Sequence, residues 1–124
     1  MALNVMIVDD SSVMRKILER SLRQAASPRI GDVVEAGDGA EAMEKLGQSQ
    51  VQVIFSDIDM PNVNGLELLR NLRNSPHKHL PVVMVTTEGS ERTVMEAISL
   101  GAKGFIRKPF TASQMEAVLA KLAR

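Results

Sequence analysis

Short apolar runs of strand length alternate with segments of helical period five times along this chain, and that alternation leaves few folds open. Residues 4–8, 33–36, 51–56, 82–86 and 104–107 are the predicted strands. Strands that alternate with helices form a parallel sheet, because each return to the sheet needs a crossover of a dozen or more residues. Most of the runs are largely apolar, as strands covered on both faces must be. Val33-Val34-Glu35-Ala36 is short and charged, which predicts an edge strand. Met14, Ile17, Leu18, Ser21, Leu22 and Ala25 keep helical spacing behind a cap at Ser11 or Ser12. Residues 40–46, 65–74 and 90–100 fill the next helical slots, the last closed by Gly101. Thr111-Ala112-Ser113-Gln114 is a capping-box pattern, and the helix it opens carries a stripe of Met115, Val118, Leu119 and Leu122. The predicted class is α/β, a doubly wound (βα)5 unit with a five-stranded parallel sheet, and 124 residues are enough for one domain with a real core.

Composition removes several functional classes. Fifteen basic and fifteen acidic residues cancel, so the chain lacks the electrostatic footprint of a nucleic-acid-binding domain. It has no cysteine, which excludes disulfides, thiolate chemistry and cysteine-zinc sites. The start MALNVMIVDD has no basic n-region before a long apolar stretch, and no apolar run approaches the ~20 residues that span a bilayer. The prediction is a cytoplasmic protein without membrane insertion. His77 and His79 lie in the proline-flanked stretch SPHKHLP, with no carboxylate or cysteine beside them at metal-ligand spacing, and are read as loop residues. Eight methionines against three aromatic residues predict a methionine-filled core.

The chemistry lies where the apolar runs end. The first run ends in Asp9-Asp10, the third in Asp57, the fourth in Thr86-Thr87 and the fifth in Lys108-Pro109. Parallel strands bring their C-terminal ends to one sheet edge, so these residues converge. Carboxylates within ~4–6 Å repel one another, and at least one holds a proton more readily than a free aspartate unless a cation compensates. A divalent ion with a preference for hard oxygen ligands, such as Mg2+, resolves that conflict. Asp10 and Asp57 are candidate direct ligands, with Asp9 acting through water. Asp57 is also a candidate nucleophile, since a carboxylate can attack phosphorus to form an acyl phosphate. Lys108 would neutralise the equatorial oxygens from the other side, and Thr86 would hydrogen-bond the arriving group. Each residue alone has an ordinary structural role as turn former, cap, strand residue or solvated charge. The case for function rests on their occurring together.

The segments MIVDDSSVMRKIL, FSDIDMPNVNGLELL, VMVTTEG and GAKGFIRKPFT, in that order and spacing, resemble the receiver domain of bacterial response regulators, and most closely its single-domain chemotaxis members. The resemblance covers nearly the whole chain. It implies a flavodoxin-like strand order 2-1-3-4-5 and a single receiver domain over residues 1–124. It further implies Asp57 as phosphoacceptor, Asp9 and Asp10 as the acid pair, Thr86 as the switch hydroxyl and Lys108 as the phosphate-pairing lysine. The backbone carbonyl of Asp59 matches a third protein ligand to Mg2+, Phe105 the aromatic switch position, and Lys108-Pro109 a peptide bond commonly cis. Asp59 and Glu88 fall where side chains tune the lifetime of the acyl phosphate. The implied phosphodonor is a histidine kinase, or a small acyl phosphate. The implied target is a protein bound on the face of the fourth helix, fifth strand and fifth helix, which includes Val94 and Arg107. The implied resting state is a monomer, with dimer formation on activation left open. No output domain follows the last helix in this sequence, so the output is expected to be a contact made by the receiver itself.

Two departures stand out. Phe105 replaces tyrosine, which removes a hydroxyl, and Asp59 stands where the chemotaxis members have asparagine. Two alternatives compete with the switch. Asp57-Ile58-Asp59 is also the Asp-x-Asp of haloacid-dehalogenase-type phosphatases, although there the motif follows the first strand and the metal-binding acids come late. The other is a receiver-like scaffold that is never phosphorylated.

Overall fold

The structure, a computed structural model, describes residues 2–25, 29–87 and 90–122. Five strands and five helices alternate: β1 (Ala2–Val8), α1 (Ser12–Gln24), β2 (Arg29–Ala36), α2 (Gly39–Leu46), β3 (Val53–Ser56), α3 (Gly65–Arg73), β4 (Val82–Thr86), α4 (Glu91–Ser99), β5 (Gly104–Arg107) and α5 (Ala112–Leu122). All pairings are parallel and the order is β2-β1-β3-β4-β5. The charged run around Glu35 therefore lies on an edge strand, as predicted.

Side chains alternate across each strand, so one sheet supports two cores. Along β1, Met6 and Val8 face one side and pack with Ala42 and Leu46 of α2, Leu68 and Leu72 of α3, and Ala97 of α4. Val5 and Ile7 face the other side, with Leu18 and Leu22 of α1 and Met115 and Leu119 of α5. Burying one such leucine contributes about 1.5–3 kcal/mol, and the two layers fix the register of every strand. Met6, Met60, Met84 and Met115 are buried among a core mostly of valine, leucine and isoleucine, whereas Met95 is exposed.

The boundaries differ from the sequence reading in β1, which begins two residues earlier at Ala2, and in β2 and β3. β2 begins at Arg29, because Arg29 and Ile30 pair with Ala2 and Leu3 across an irregular register, and Arg29-Ile30-Gly31-Asp32 lacks a strand-like pattern. β3 begins at Val53, two residues later than its apolar run. Ile17 keeps the helical spacing of Leu18 and Leu22 but is 45% exposed, with Val13 exposed as well. No helix among the described residues is long and apolar enough to cross a membrane.

Candidate functional site

The C-terminal ends of β1, β3, β4 and β5 place Asp9, Asp57, Thr86 and Lys108 at one edge of the sheet. Pairing carries the chain directly into the site. The Asp57 N–H donates to the Val8 carbonyl at 2.9 Å, and the Asp9 N–H donates to the Ala36 carbonyl at 3.0 Å. Lys108 bridges the two acids: its Nζ lies 3.0 Å from Asp9 Oδ2 and 3.4 Å from Asp57 Oδ2. The backbone N–H of Lys108 also donates to the Thr86 carbonyl at 2.9 Å, joining the ends of β4 and β5. Asp9 and Thr86 are each only 1% exposed, and Asp57 8%. The Lys108-Pro109 bond is cis.

The oxygens of Asp57 have different partners. Oδ1 accepts the Ile58 N–H at 2.7 Å, which leaves Oδ2 on the Lys108 side. Asp9 is held at both oxygens, by the Ser11 N–H at 2.9 Å and by Lys108. Burial pushes the Asp57 carboxyl above its ordinary value; Lys108 opposes that rise and the neighbouring charge of Asp9 adds to it. The crowding of acids expected from the sequence adds to that rise through Asp9, but burial is its main cause.

The residues present fit a hard divalent cation. Asp9, Asp10 and Asp57 each offer a carboxylate oxygen, and the three oxygens lie within 4.8 Å of one another. Opposite ligands of octahedral Mg2+ lie about 4.2 Å apart, a little inside the upper bound of that spread, and the set is wholly of oxygen. The Asp59 carboxylate is not among these acids and its side chain is exposed, leaving only its backbone carbonyl as the role implied by the resemblance. Glu88 lies outside the described residues. Phe105 is half-buried on β5 against the α2–α4 core, Val94 is half-buried on α4, and Arg107 is exposed at the end of β5. His77 and His79 lie in a turn after α3, remote in sequence from these acids.

The sequence reading missed what sets the loop after Asp57. Gly65 opens α3 against that loop, and its N–H donates to the Ile58 carbonyl at 2.9 Å. A Cβ at Gly65 would lie 2.2 Å from the Asp57 carbonyl oxygen and 2.8 Å from the Ile58 Cα. Asn64 and Glu67 form a reciprocal capping box around this helix start. Asn64-x-x-Glu67 is legible as a cap signal. The need for glycine is visible only once helix and loop are seen together.

The response regulator receiver domain profile matches residues 5–120. The chain belongs to the response regulator receiver family. This receiver is 41% identical over 113 residues to the chemotaxis protein CheY1 of Helicobacter pylori, covering 88% of this chain and 87% of that one. Its structure superposes on CheY4 of Vibrio cholerae with a TM-score of 0.85 at 32% identity, covering 98% and 99% of the two chains. It also matches a chain of the CheX–CheY–BeF3–Mg2+ complex of Borrelia burgdorferi, with a TM-score of 0.88 at 29% identity and coverage of 98% and 90%. The receiver is therefore of the CheY type, a module of chemotaxis and two-component signalling. The phosphatase alternative is not favoured: the acid pair follows β1 and Asp57 follows β3, the reverse of what that reading needs.

Proposed function

We propose that this receiver accepts a phosphoryl group on Asp57 from a histidine kinase and thereby changes its affinity for a protein target. The observation that carries the reading is Lys108 held 3.0 and 3.4 Å from Asp9 and Asp57 at the sheet edge where three carboxylate oxygens converge. In the proposed reaction Asp57 Oδ2 attacks phosphorus, the P–N bond to the donor histidine breaks, and the leaving imidazole keeps that electron pair. Asp57 Oδ1, tied to the Ile58 N–H, fixes the plane of the nucleophile. Lys108 then pairs with a phosphoryl oxygen, and Thr86 offers its hydroxyl to another. Asp10, Asp57 and the Asp59 carbonyl, with Asp9 through water, would hold Mg2+, which would supply further charge neutralisation.

The proposed output face is formed by α4, β5 and α5, with Phe105 as its movable ring and Val94 and Arg107 beside it. That the relative from Borrelia burgdorferi is found in a complex with CheX supports an output made through protein contact. The test is labelling from a phosphodonor. Asp57→Asn, nearly isosteric, is expected to fold and take no label, and chelation of Mg2+ is expected to abolish labelling of the wild type. Label on Asp57→Asn at wild-type level would remove Asp57 from its role, and a wild-type protein that takes no label would favour the scaffold.

A further inference from the structure

We infer that Arg15, held by Glu35, is a positioning residue for the metal-binding acids, and that it acts by fixing the peptide that joins Asp9 to Asp10. The inference rests on the proposed Mg2+ site. Arg15 reaches back from α1: its Nη1 donates to the Asp9 carbonyl at 2.6 Å and its Nε to Glu35 Oε1 at 2.8 Å. Glu35 stands on the edge strand β2, two residues before the turn into α2. Lys16 Nζ donates to its Oε2 at 2.7 Å, and Lys45 Nζ of α2 donates to its backbone carbonyl at 2.6 Å. Three cationic side chains from two helices thus converge on one residue of β2.

What this network holds matters because the two acids are held differently. Both oxygens of Asp9 have partners, in Ser11 and Lys108. Asp10 is exposed and its carboxylate has no hydrogen-bond partner among the described residues. Its direction is therefore set by its backbone. The Asp9 carbonyl and the Asp10 nitrogen and Cα belong to one planar peptide unit, so a donor that fixes that carbonyl also fixes the Cα from which the Asp10 side chain departs. Arg15 is suited to this because its rigid fork serves the carbonyl and Glu35 at once, which a lysine ammonium on a flexible stem does less well. Groups that orient metal ligands without touching the metal commonly change metal affinity when removed.

The experiment is calorimetric titration of the full chain with Mg2+ alone, together with labelling from a phosphodonor over a range of Mg2+ concentrations. Arg15→Met is expected to weaken Mg2+ about tenfold, at the lower end for such orienting groups, while labelling at saturating Mg2+ returns to the wild-type rate. Arg15→Lys is expected to recover part of the affinity. Glu35→Gln, which preserves side-chain shape, gives a second and smaller loss should Arg15→Met fold poorly. Arg70→Met, which breaks the exposed Arg70–Glu96 pair elsewhere, is the control and is expected to leave Mg2+ binding unchanged. Unaltered Mg2+ affinity in Arg15→Met and Glu35→Gln would overturn the inference, as would equal weakening in the control or a labelling defect that saturating Mg2+ does not cure. A wild-type protein that takes up no Mg2+ would overturn the reading of the site itself.

Discussion

Replacing Gly65 by alanine sets two effects against each other. At a helix interior position alanine is favoured over glycine by up to ~1 kcal/mol, and at the first helical position by less. The opposing term is steric. The new methyl would lie 2.2 Å from the Asp57 carbonyl oxygen, 2.8 Å from the Ile58 Cα and 2.8 Å from the Met84 Cε. Met84 can yield by rotating its thioether, but the first two atoms are backbone and yield only if α3 or the loop after Asp57 moves. Overpacking of this kind costs about 1–3 kcal/mol, and with backbone on both sides the upper figure applies. Subtracting the helix term leaves about 2 kcal/mol of destabilisation. With an unfolding entropy of ~2.1 cal/mol/K per residue, 124 residues give ~0.26 kcal/mol/K, so the melting temperature should fall by ~8 °C. Because the displaced atoms belong to Asp57 and Ile58, labelling of Asp57 should slow as well. The assay is a thermal melt of wild type and Gly65→Ala followed by timed labelling below both melting temperatures. A melting temperature equal to or above that of wild type would refute the steric reasoning.

Phe105→Ala should weaken target binding by about tenfold, within the 1–3 kcal/mol typical of coupling between two sites, while Asp57 labels at an unchanged rate. Equal binding of the target by both proteins, measured by calorimetry, would take the ring out of the signalling route. Asp59→Asn should shorten the life of the phosphorylated form, because it removes a negative charge near an anionic group and supplies an amide that can orient water. The change should not exceed about fivefold, since an exposed charge contributes no more than ~1 kcal/mol, and slower loss of radiolabel in the variant would show that Asp59 assists hydrolysis instead.

Much of this architecture is legible in the sequence because its signals are local. The runs ending at Val8, Ser56 and Thr86 are apolar on both faces, and only a covered parallel sheet accommodates them. The same runs lead into Asp9 and Asp57 and end in Thr86, so the polar set is legible at their C-terminal ends. Other features depend on contacts distant in sequence. The early start of β2 at Arg29 comes from pairing with Ala2, not from any pattern in its own residues. Ile17 has the right spacing for the core, yet the sheet covers Leu18 and Leu22 and leaves the Val13–Ile17 side of α1 outside. Gly65 and Arg15 look ordinary in one dimension, and each acquires its meaning from a neighbour eight or twenty residues away.

Lys108 shows how the proposed switch can be sensitive to a single group. In the resting geometry it lies between two buried acids, 3.0 Å from one and 3.4 Å from the other, and its charge offsets their mutual repulsion. A phosphoryl group on Asp57 brings additional negative charge to the same place, so the lysine gains a partner and Asp9 loses part of its hold on it. That exchange is not confined to the side chain. The Lys108 N–H is fixed to the Thr86 carbonyl, and Phe105 lies three residues earlier, on β5, opposite Met84 of β4. A displacement of Lys108 therefore acts on the ends of β4 and β5 together, where the proposed switch residues reside. A ligand can shift an equilibrium only by its difference in affinity for the two states, and here that difference comes from one cation serving two acids in one state and a phosphoryl group in the other.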